Sequence, residues 1–75
     1  MDGAALQQRL LDSLVGRIKE DTFPSVTMMN RVEGSLRTRE QVEEYAEVLL
    51  EKIEATRFPS IAMIDRFDGL VAKLE

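Results

Sequence analysis

Thirteen residues, TFPSVTMMNRVEG at 22–34, return as RFPSIAMIDRFDG at 57–69, 35 positions later. Setting Leu14 over Leu49 and running on to Gly34 over Gly69 needs no gap across 21 positions. Eight of those pairs are identical: Leu14/Leu49, Ile18/Ile53, Phe23/Phe58, Pro24/Pro59, Ser25/Ser60, Met28/Met63, Arg31/Arg66 and Gly34/Gly69. Val26/Ile61, Met29/Ile64, Val32/Phe67, Asn30/Asp65 and Glu33/Asp68 are close in kind. Few folds survive such a constraint. The chain must be two copies of one short unit, and the unit must turn at Phe-Pro-Ser.

Periodicity says what the unit is. Leu6, Leu10, Leu14 and Ile18 recur every fourth residue, with Leu11 and Val15 widening the stripe into a core-facing band over a helix from about Gly3 to Glu20. A second helix opens at Ser25 and carries Val26, Met28, Met29, Val32 and Leu36, with Gly34 as its stop. Thr38 followed by Gln41 is a capping-box pattern and starts a third helix. Its core face is Val42, Tyr45, Ala46, Leu49 and Ile53, with Val48 and Leu50 at the edges. A fourth begins at Ser60 and runs to the C-terminus with Ile61, Met63, Ile64, Phe67, Leu70, Val71 and Leu74. No segment alternates as a half-buried strand does. The expectation is an all-α protein of four helices. Residues 1–75 form one domain, and two duplicated hairpins, about 1–36 and 37–75, pack as a compact bundle about a pseudo-twofold axis.

Each residue of the elbow has a structural task. Proline fixes its own backbone and drives Phe23 or Phe58 out of helical dihedrals, which ends the long helix. Ser25 or Ser60 then caps the next helix, a contribution of ~1 kcal/mol. Both phenylalanine rings are expected to plug the open end of their hairpins. Phosphorylation of the serines, or docking on the Phe-Pro-Ser surface, is the functional alternative. Gly69 lies inside the fourth helix, where close helix approach would explain it. The paired Arg31 and Arg66 flank the apolar stripe. They read first as long stems laid over the core, with heads near Asp65, Asp68 or Glu33, and second as anion clamps.

The 35-residue period invites comparison with helical repeat families. QVEEYAEVLLEKIEATRFPS is similar in pattern to the second-helix-to-proline stretch of tetratricopeptide and pentatricopeptide repeats. The W-x-x-L-G-x-x-Y signature is absent and two units fall short of the three a solenoid needs, so neither family is assigned.

Composition narrows the function. At 75 residues the chain is at the small end of what stands alone, and with no cysteine and no histidine it has neither disulfides nor thiolate or imidazole metal sites. The same lack removes the usual catalytic base and nucleophile, and no phosphate loop or EF-hand pattern appears. The Asp-Ser-Leu at Ser13 and Gly-Ser-Leu at Ser35 are three-residue matches to phosphopantetheine attachment sites, and Ser13 falls within a helix rather than at its start. No catalytic residue, metal or cofactor is therefore assigned, and the chain reads as a non-enzyme. The start, MDGAALQQRLLD, lacks the pattern of a secretion signal, no apolar run is long enough to span a membrane, and the absence of cysteine fits a cytoplasmic setting.

The reading that remains is a small helical protein–protein interaction module, a self-associating homodimer or an adaptor or regulatory subunit. Met28, Met29, Met63 and Arg66 are the candidate contacts, because thioethers adapt to irregular surfaces. Glu40, Glu43, Glu44, Glu47, Glu51 and Glu54 line the outer side of the third helix. They read first as a solvated face, and second as a recognition rim in which Glu47 and Glu51 are central. The alternative is a nucleic-acid-associated regulator using Arg37 and Arg39 in the central connection, which a net charge of −4 opposes.

Overall fold

The computed structural model describes residues 2–75 and contains, among them, four helices and no strand: α1 (Gly3–Glu20), α2 (Val26–Ser35), α3 (Arg39–Ala55) and α4 (Ile61–Leu74). The chain divides into two units at Ser35/Leu36. In the first α1 packs on α2, and in the second α3 packs on α4.

Local chemistry sets every boundary. Asp2 caps α1, its Oδ1 accepting the Ala4 N–H at 3.1 Å. The first helix ends where Asp21 turns extended, its N–H still reaching the Arg17 carbonyl. Thr38 and Gln41 form a full capping box on α3: Thr38 Oγ1 accepts the Gln41 N–H at 3.1 Å. Gln41 Oε1 accepts the N–H groups of Thr38 at 3.2 Å and Arg37 at 2.7 Å. One glutamine side chain therefore orders the connection that follows α2. That connection, and not Gly34, is where α2 stops. The helix runs through Gly34 to Ser35, and no glycine in the described chain has a positive φ.

In the first unit the core is Leu11, Ile18, Met29 and Val32. Leu14 and Val15 are half-buried, but Leu6 and Leu10 remain 45% and 48% exposed. The expectation that all of α1's stripe is core fails at this end, and the reason is length. α1 has 18 residues and α2 has 10. At ~1.5 Å per residue an antiparallel α2 reaches along only the last ten or so residues of α1. In the second unit α4 has 14 residues against the 17 of α3, and the buried set extends back to Val42. It comprises Val42, Tyr45, Ala46, Val48, Leu49 and Leu70, while Ile53, Met63, Ile64, Phe67, Val71 and Leu74 are half-buried.

Arg39 closes this second hairpin. Its guanidinium donates to the Leu74 carbonyl at 2.7 Å and pairs with Glu43 at 3.1 Å, so the first residue of α3 holds the last turn of α4. The cation sits where unpaired C-terminal carbonyls and the negative end of the helix dipole favour one.

Candidate protein-interaction surface at the two elbows

Both copies of the repeated phrase turn in the same way at the same offset. The long helix stops at Glu20 or Ala55, two bend residues follow, and the next helix opens at Val26 or Ile61. Ser25 Oγ accepts the Met28 N–H at 3.3 Å, and Ser60 Oγ accepts the Met63 N–H at 3.1 Å. The two serines also begin the helical ladder, their carbonyls accepting from the N–H of Met29 and of Ile64.

The phenylalanines do not plug the hairpins. Phe23 is 92% exposed and Phe58 is 83% exposed. Pro24 and Pro59, in contrast, are half-buried. A residue before proline is held extended, and successive side chains of an extended segment face opposite ways. With the proline turned inward, the ring ahead of it is turned out. Three residues along, at the first position of each following helix, stands another displayed apolar side chain: Val26 at 59% and Ile61 at 71% exposure. Each elbow therefore presents a Phe-x-x-Val or Phe-x-x-Ile pair to solvent. The guanidinium of Arg57 lies 5.4 Å from the centre of the Phe58 ring, a cation–π contact that orients the ring without covering it.

Around this pair the structure redistributes the other expected contact residues. Met29 belongs to the core and has no surface to offer a partner. Met28, Met63 and Arg66 are half-buried, and Arg31 is exposed. Glu47 and Glu51 are exposed, as are Glu40, Glu43, Glu44 and Glu54. Arg39 is engaged within its own hairpin, and the Arg37 side chain donates to the Leu36 carbonyl at 3.4 Å. Gly69 is not a point of close helix approach, since a Cβ built there meets nothing within 4 Å. Ser13 is on the exposed outside of α1, and Ser35 Oγ donates back to the Arg31 carbonyl at 2.8 Å.

Two features escaped the sequence reading. The Asp2 cap was visible as an aspartate ahead of an apolar-periodic run. The Arg39–Leu74 bond had no local signal, because its partners are 35 residues apart. Among the described residues no group of three or more acidic side chains is placed to hold a metal ion, and no helix is long and apolar enough to cross a membrane. No protein-family model matches the chain, nor does any curated protein or solved structure.

Proposed function

We propose that this chain is a non-enzymatic interaction module, one hairpin unit duplicated so that the same apolar elbow is displayed twice for binding protein. The observation that carries the reading is the pair of outward-facing rings, Phe23 and Phe58, each beside an exposed Val26 or Ile61. A lone surface leucine needs no explanation, but an aromatic and a branched side chain exposed together, at equivalent positions of both units, form the kind of patch that marks a binding surface. Phenylalanine is also a costly residue to leave in water without a use, since one ring carries ~150–250 Å² of apolar area. Met28 and Met63 flank the elbows as adaptable contacts, Arg66 adds a polar edge, and Glu47 and Glu51 form an outer acidic rim that steers a partner more than it holds it. The module serves as a self-associating or regulatory subunit in the cytoplasm.

The test compares capture from native cell extract by the tagged chain and by its Phe23→Ser/Phe58→Ser variant. Both side chains are exposed, so the variant keeps its helix content by circular dichroism. A stoichiometric protein, the chain itself or another, that disappears with the variant supports the module. Capture indifferent to both substitutions refutes it.

A further inference from the structure

Resting on the elbow reading, we infer that the second elbow binds the second elbow of another copy of this chain across a twofold axis. All the residues concerned belong to the hairpin of α3 and α4. Ile61, Asp65 and Asp68 follow one another at spacings of four and three, so they share one face of α4, and all three are exposed. Ahead of them in the elbow stand Phe58, 83% exposed, and the exposed Arg57, whose guanidinium lies 5.4 Å from the centre of the ring. The order along the chain is a cation, an apolar pair, then two carboxylates. At ~1.5 Å per residue Asp65 lies about 6 Å and Asp68 about 10 Å into α4 from Ile61, while Arg57 precedes the helix.

Such a strip is complementary to itself when reversed. A twofold axis through the Phe58/Ile61 patch lays the two α4 helices antiparallel and sets the apolar pair of one copy on that of the other. It also brings Arg57 of each copy against Asp65 and Asp68 of the other, so both ends of the contact join opposite charges. A wholly acidic or wholly basic partner would meet a like charge at one end. The first elbow does not carry this pattern: Thr22 stands at the place of Arg57, Asn30 at that of Asp65 and Glu33 at that of Asp68. Reversed on itself, it has no cation at the place of Arg57 to meet the carboxylate. Area sets the strength. At 83% exposure the Phe58 ring leaves about 120–200 Å² in water, and Ile61 at 71% adds roughly 100 Å². A standard interface takes about 800 Å² from each partner, a little over half of it apolar. The patch supplies roughly half of that apolar area, which fits a weak, reversible dimer and not a permanent one.

The experiment is sedimentation equilibrium on the full chain from about 1 µM to 1 mM at low salt, with helix content checked by circular dichroism for every variant. The wild type is expected to form a reversible dimer. Phe58→Ser should weaken it at least ~30-fold, the effect of losing one interface hot spot, while Phe23→Ser should leave it within about twofold. Arg57→Glu alone and Asp65→Arg/Asp68→Arg alone should each weaken it ~10-fold, because each sets like charges at both ends. An equimolar mixture of those two variants should recover to within about threefold of wild type, since every contact across the axis is again of opposite sign. A chain monomeric at 1 mM overturns the inference, as does a dimer that Phe58→Ser leaves intact or that Phe23→Ser weakens as much. A mixture no stronger than its components overturns the antiparallel charge pairing, and the inference with it. A monomer whose elbows nevertheless capture a different protein from extract, lost in the Phe23→Ser/Phe58→Ser variant, refutes self-association and leaves the interaction module standing. If that capture too is indifferent to the serines, both fall.

Discussion

At the scale of single residues the elbow separates two phenylalanines from the core that hydrophobicity alone would give them. Phe58→Ala removes a ring that is 83% exposed, so the unfolding free energy of the monomer should change by under ~0.5 kcal/mol, measured by urea denaturation at low protein concentration. Leu49→Ala, at a fully buried position, should lose about 2–5 kcal/mol in the same assay. If the two losses were alike, the ring would be packed and the elbow surface would not exist. Gly69→Ala goes the other way. The position is exposed within α4 and a Cβ meets nothing within 4 Å, so alanine should raise stability by about 0.5–1 kcal/mol through backbone entropy and helix propensity. Neither result was visible in the sequence. Phenylalanine in a turn and glycine in a helix each have a packing explanation and a non-packing one, and only the side each faces decides between them.

The elements themselves were far more legible, because capping is local chemistry. Thr38 with Gln41 placed the start of α3, and Ser25 and Ser60 placed the starts of α2 and α4, from residues no more than three positions apart. What escaped was set by distance along the chain or by relative length. The extent of α1's covered face depends on how far α2 runs, and α2 ends at the Gln41-ordered connection rather than at Gly34. Thr38→Ala should cost ~1 kcal/mol, since it removes the cap of α3 while Gln41 remains. Arg39→Gln removes the tie between α3 and the Leu74 carbonyl. Because the Arg39 side chain is 67% exposed the loss should be small, under ~1 kcal/mol, and local. Hydrogen exchange should show it as faster opening of the last turn of α4, with α1 and α2 unchanged.

For the whole molecule the physics is that of a small chain with a modest core. Among the described residues ten apolar side chains are buried and no polar one is, while no disulfide is possible in a sequence without cysteine. Such a chain gains from any contact that its folded form makes and its unfolded form does not. Self-association through the proposed elbow surface would couple to stability by mass action, so the midpoint of thermal unfolding should then climb with protein concentration in the wild type and stay flat in the Phe23→Ser/Phe58→Ser variant. The net charge of −4 acts in the same experiment, since salt relieves the general repulsion between copies. The most direct test follows backbone amide chemical shifts through a concentration series. Self-association at the second elbow predicts shifts gathered at residues 57–68, moving together along one binding curve. Shifts at Leu6 and Leu10 or along the glutamates of α3 instead, or none up to millimolar concentration, would contradict it.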